Sequence, residues 1–137
     1  MIAELPIVES LMDRALELDE SYNHGAIHAF FITYEMSRQG GTGDAAARSR
    51  QQFDRAVALG QGQQAAPLVA LAESVSVRRQ DVSEFKLLLT RALAINPDAR
   101  PEWRLENLIL QRRARWLLSR TDDLFLTPAT TNLTTTP

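Results

Sequence analysis

Two histidines and a carboxylate are the residues best able to do chemistry here. His24 and His28 are four residues apart, and Glu35 lies seven beyond His28. On a continuous helix all three would share one face, and these are ligand types that suit zinc. The helical zinc-protease motif, however, places Glu directly after the first His, and Gly25 holds that position. A metal-dependent enzyme built on His24, His28 and Glu35 would need stoichiometric zinc. The simpler expectation is a core polar network, His28 with Glu35 or Tyr34 with Glu73, because buried polar groups must find partners.

Other chemistries have less support. The chain has no cysteine, which removes thiol catalysis, disulfides and cysteine zinc sites. With both histidines in one short stretch, no Ser-His-Asp order can be defended. Gly40, Gly41 and Gly43 lie close together, but no Gly-Lys-Ser/Thr follows and a helix precedes them, so a loop is expected rather than a phosphate cradle. Arg112, Arg113 and Arg115 could meet an anion, yet a pI near 5.7 argues against a nucleic-acid partner. On a helix, Arg112 could stack on Trp116, but an ion-paired or solvated face with Arg stems covering apolar surface is the favoured reading. No catalytic residue, cofactor or metal is expected, and the protein is read as non-enzymatic.

The elements that carry these residues are helical. In Phe85–Pro97, Phe85, Leu88, Leu89, Ala92 and Leu93 form one apolar stripe at helical spacing. Asp81 and Glu84 ahead of it approach a capping box, and Asn96-Pro97 stops it. Its Arg91-Ala92-Leu93-Ala94-Ile95 is echoed by Arg55-Ala56-Val57-Ala58-Leu59 and Arg14-Ala15-Leu16-Glu17-Leu18, at intervals of 36 and 41 residues. Those intervals lie near the roughly 34-residue tetratricopeptide (TPR) period. The fold class expected is all-α, a TPR-like stack of helical hairpins with about six helices and an incomplete first repeat.

The helices are placed at about Glu4–Leu18, Gly25–Arg38, Asp44–Leu59, from Pro67 through Val75, from Asp81 to Asn96, and Pro101–Arg120. Leu11, Ala15 and Leu18 share one face of the first. Leu105, Leu108, Ile109, Trp116 and Leu117 are read as the apolar face of the last. Residues 1–126 are expected to form the helical domain and the Thr-rich residues 127–137 a disordered tail. A first helix without its hairpin partner would leave an apolar face uncovered.

Charge is unevenly spread. Residues 1–20 hold six acids and one base, whereas residues 100–120 hold six arginines and two glutamates. Two solvated faces of opposite sign are the simpler reading, with a head-to-tail contact between copies as the alternative.

Several blocks, in order, carry a family resemblance: GAIHAFFITYE at Gly25–Glu35, QFDRA at Gln52–Ala56, APLVALAESVSV at Ala66–Val77, and RRARWLL at Arg112–Leu118 followed by DDLF at Asp122–Phe125. From Leu16 to Phe125 the chain resembles the T-component of TRAP (tripartite ATP-independent periplasmic) transporters. The resemblance implies a non-enzymatic helical scaffold at the periplasm, usually lipid-anchored, although no signal or lipid-acceptor cysteine is among these residues. It implies a periplasmic solute-binding protein as partner, self-assembly into a homo-oligomer, and a small hydrophobic or organic-acid ligand. Hairpin geometry adds a concave surface lined by Phe31, Tyr34 and Glu35 from the second helix and Glu73, Ser76 and Val77 from the fourth. A generic TPR-like adaptor that grips an extended peptide is the alternative.

Overall fold

The computed structural model describes residues 5–38 and 43–126. Among the described residues the regular structure is helical: α1 (Leu5–Leu18), α2 (Ala26–Tyr34), α3 (Ala45–Leu59), α4 (Ala65–Leu71), α5 (Val82–Ala94), α6 (Arg104–Ser119) and α7 (Thr121–Leu124). The fold is all-α, as the periodicity predicts. The glycine loop before Gly43 and the Thr-rich tail lie outside the described residues.

Local signals explain most of the boundaries. The Asp44 side chain accepts from Ala46 N at the start of α3. Asp81 accepts from Glu84 N at 3.0 Å at the start of α5. The reciprocal half of the capping box is missing, because Glu84 turns instead to Arg50 and Ser76. At the α3 terminus Gly60 is not left-handed; Gln61 is, with φ 56°. Gly62 N donates to Val57 O and Gln61 N to Ala58 O, the bond pair of a Schellman motif with Gln61 at its left-handed position. A Cβ at Gly60 would lie 2.7 Å from Gln64 Oε1, the far end of a side chain that can swing aside.

The α2–α3 and α4–α5 pairs each form a hairpin, and α6 lies across α4 and α5. The repeated Arg-Ala segments fall at the C-terminal ends of α1, α3 and α5. Ala56 and Ala92 occupy matched buried positions in the two hairpins. In α3, Ala46, Ser49, Phe53 and Ala56 are the buried residues. Ser49 Oγ donates to Ile32 O, so a small residue satisfies backbone where α3 meets α2. α4 is central, touching α2, α3, α5 and α6, and it continues as a π-helical turn over Ala72–Ser76. Val77 N donates to Ala72 O in the wider register of that turn. The turn brings Ala72, Val75 and Ser76 all inside. Nothing in the local sequence signalled it.

α6 is rotated away from the expected orientation, although Leu117 of the expected face is buried and Leu108 half-buried. Leu105, Ile109 and Trp116 are exposed, while Asn107, Gln111, Ala114 and Leu117 are buried. Two polar residues explain the choice. α4 has no side-chain cap of its own, and Asn107 supplies one from α6. Asn107 Oδ1 accepts from Ala65 N at 2.8 Å and its Nδ2 donates to Gln63 O at 2.9 Å. Gln111 Nε2 donates to Ala92 O and Ile95 O, carbonyls at the end of α5. Satisfying buried backbone thus outweighs burying a wider apolar stripe. Asn107→Ala is expected to cost about 1–3 kcal/mol, because it orphans a buried amide and a carbonyl. Urea unfolding measures this, and an unchanged midpoint would refute the capping role.

Candidate functional site

The helical-face argument for His24, His28 and Glu35 fails at its first residue. α2 begins at Ala26, and His24 lies in the preceding turn. Asn23, His24 and Gly25 have φ of 47°, 55° and 98°, so the chain reverses there through three left-handed residues. Gly25 is required, since a Cβ would lie 3.2 Å from Leu59 Cβ at a φ that L side chains avoid. His24 instead sits edge-on to Trp103, with centroids 4.8 Å apart. Among the described residues no group of three or more His, Asp or Glu could hold a metal ion.

His28 and Glu35 also part company. Buried His28 has Nδ1 2.6 Å from Gln52 Oε1 and Nε2 3.0 Å from Glu20 Oε2. Glu20 also accepts two bonds from Arg55, at 2.9 and 2.8 Å. Buried Glu35 has Oε1 3.0 Å from the Nε of both Arg38 and Arg48. The Arg48 contact is a hydrogen bond. The Arg38 Nε makes no hydrogen bond, so its contact with Glu35 is ionic. The expected Tyr34–Glu73 pair does not form either. Tyr34 Oη donates to Glu9 Oε2 at 2.7 Å, and Glu73 pairs with Arg113 of α6 at 2.6 and 2.7 Å.

These partners fix α1 onto α2 at two points. Near the start of α1, Glu9 receives Tyr34 and Arg38 Nη1, the latter at 2.8 Å, and Asp13 receives Arg38 Nη2. The hydrogen bond to Glu9 is the main reason that the Tyr34 phenol titrates higher than usual. Desolvation opposes charge on Arg38, but Glu35 and Glu9 outweigh it and raise its pKa. Just past the end of α1, Glu20 is held down to about 2 by hydrogen bonds from Arg55 and then His28.

The sign follows directly. A carboxylate whose pKa is depressed on folding stabilises the fold above its unfolded value, near 4.5, and loses that contribution as pH falls toward 2. Glu20→Gln is therefore expected to destabilise at neutral pH. Its deficit should shrink below pH 4.5 and vanish near pH 2. Denaturant midpoints across that range measure this, and a pH-independent deficit would refute the linkage.

Between the two points lies an apolar cleft of about 340 Å³, walled by Met12, Ala15, Leu18, Asp19, Tyr22 and Ile27. That size is within the range of small-molecule pockets. Its wall carries no nucleophile and one carboxylate, so it suits binding rather than bond-making. Periodicity placed Leu18 on an apolar face but could not show the cleft, which needs the angle between α1 and α2.

The six residues expected on a concave surface are divided. Phe31 and Ser76 are fully enclosed, Glu35 is buried under Arg38, and Tyr34 is covered by Glu9 of α1. Glu73 and Val77 are half-buried, Glu73 in its pair with Arg113 and Val77 against the core. Ser76 Oγ donates to Glu84 Oε1 at 2.7 Å. Arg50, seconded by Ser76, holds the Glu84 carboxyl below its usual range. α2 and the π-helical turn do meet, through Ser74 Oγ donating to Thr33 Oγ1 at 3.0 Å. Trp116 is flanked by Arg113 and Arg120, each 5.6 Å from its ring centroid, rather than by Arg112.

The family described as TRAP transporter T-component matches residues 1–125. The chain belongs to this family. It is also 25% identical over 116 residues to an uncharacterized protein of Treponema pallidum (strain Nichols). That alignment covers 85% of this chain but 36% of the relative, so the chain spans about a third of that relative's length. The family is one of transport-associated accessory components of TRAP systems, a periplasmic class of transporter. Among the described residues no helix is long and apolar enough to cross a membrane.

Proposed function

We propose that the chain is a binding subunit that docks the periplasmic solute-binding protein of its TRAP system and takes a small apolar or organic-acid ligand in the cleft between α1 and α2. The family match over residues 1–125 carries this reading. The cleft supports the ligand half, since its wall is apolar apart from Asp19 and the Tyr22 hydroxyl. Lipid anchoring at the periplasmic face belongs to the same proposal.

Nothing in the described helices favours the peptide-adaptor alternative. The surface it would use is occupied by α1 and by side-chain pairs within the chain. The test is co-purification with a TRAP solute-binding protein from the same organism. Co-elution on gel filtration is expected. Separate elution would remove the docking claim. For the cleft, a polarity-sensitive dye is expected to bind the wild type and to lose at least tenfold in affinity in Ala15→Trp. Equal binding by the two proteins would place the ligand elsewhere.

A further inference from the structure

The turns that follow α1 and α3 hold corresponding places in the fold but differ in charge. Arg55 and Arg91 open the repeated segments at the ends of α3 and α5. Buried Ile27, His28, Phe31 and Ile32 of α2 are matched, 40 residues on, by buried Pro67, Leu68, Leu71 and Ala72. On that register Leu68 corresponds to His28, and Arg91 to Arg55. In the first hairpin His28 and Arg55 close on Glu20, two residues past Leu18 at the end of α1. Two residues past Leu59, at the end of α3, stands Gln61, and the connector Gln61-Gly62-Gln63-Gln64 contains no acid. Arg91 has no ion pair among the described residues.

A pocket of about 330 Å³ opens at this place. Its lining includes Gln63 from the connector, Leu68 from α4, and Arg91, Ala94, Ile95 and Asn96 from the end of α5. Among the described residues that line it, Arg91 alone is charged. Asp98, an acid just beyond Asn96, is held by Arg104 Nε at 2.7 Å. Asn96 Oδ1 accepts from Asp98 N at 2.9 Å, so its Nδ2 is the end left to donate. Ala92 O and Ile95 O already accept from Gln111, which blunts the carbonyl charge that would repel an anion at a helix C-terminus. The lining therefore offers one cation, amide donors and an apolar floor.

We propose that this pocket binds a small monocarboxylic acid with a short aliphatic tail. The ligand's carboxylate takes the place that Glu20 holds in the first hairpin. It accepts both bonds of the Arg91 guanidinium fork, as Glu20 does from Arg55. The tail lies over Leu68, Ala94 and Ile95. The volume is at the small end for ligand pockets, which limits the tail to a few carbons. The pocket shares no lining residue with the cleft between α1 and α2, and the inference does not rest on the transporter reading.

The test is titration of hexanoate into the nitrogen-labelled chain, read by the shifts of backbone amide resonances. Saturable shifts are expected at Gln63, Ala94 and Asn96, with affinity in the low millimolar range. Hexanamide, of the same shape without the charge, is expected to bind at least about tenfold more weakly to the unaltered protein. Arg91→Gln is expected to lose as much for hexanoate and to keep wild-type helix content, since Arg91 is exposed. Gln63→Glu supplies the acid that the connector lacks and is expected to weaken binding to the same extent. Ala15→Trp, in the other cleft, should leave the affinity unchanged. Absence of saturable shifts up to about 50 mM would overturn the proposal. So would shifts confined to Ala15 and Ile27, equal binding of hexanamide, or undiminished binding by Arg91→Gln.

Discussion

Phe85→Ala is expected to lower stability by about 3–5 kcal/mol, the usual cost of removing a buried aromatic ring. Phe85 is fully buried in the cluster that joins α4, α5 and α6. Its ring also meets Phe125 edge-on, with centroids 4.9 Å apart, so the substitution releases the segment beyond α7 as well. Against a total of roughly 5–15 kcal/mol for a chain of this kind, such a loss leaves little margin. Leu87 is the internal control. It is on the same helix but 61% exposed, and Leu87→Ala is expected to change stability by less than about 0.5 kcal/mol. Urea denaturation of both variants gives the comparison; equal losses would mean that the buried face of α5 is misassigned.

The second large effect is electrostatic. Glu35→Ala is expected to cost about 3–5 kcal/mol, because it leaves Arg38 and Arg48 facing an enclosed space without the carboxylate between them. Arg38 is the link to α1 through Glu9 and Asp13, so hydrogen exchange in α1 should accelerate in the same variant. Replacing both members, Glu35→Leu with Arg38→Met, is expected to cost less than the sum of the single changes, since no charge is then stranded. Strict additivity in that cycle would show that the pair is not coupled.

Much of the architecture could be read in the residue pattern because it is local. The caps at Asp44 and Asp81 depend on residues two or three positions away, and the Phe85 stripe on a 3.6-residue period. The repeated Arg-Ala segments marked the matched ends of three helices. Errors arose where a distant partner decides. α6 buries Asn107 and Gln111 because backbone groups of α4 and α5, 16 to 44 residues away in the chain, need them; a hydrophobic stripe cannot report that demand. Tyr34, Glu35 and His28 were rightly expected to need buried partners. The partners proved to be Glu9, Arg38, Arg48, Gln52 and Glu20, most of them supplied by α1, its following turn or α3. The acidity of residues 1–20 was the available signal: acids on α1 needed bases, and Arg38 and Arg55 meet part of that need. The π-helical turn and the left-handed Gln61 had no such signal.

The docking claim is tested most directly by titrating a periplasmic solute-binding protein of a TRAP system from the same organism into the purified chain in a calorimeter. A saturable heat at micromolar or tighter affinity, retained in Glu73→Ala and lost in a scrambled-sequence control, is the result predicted for a TRAP accessory subunit. No heat at any accessible concentration, from two proteins each shown to be folded, would contradict it.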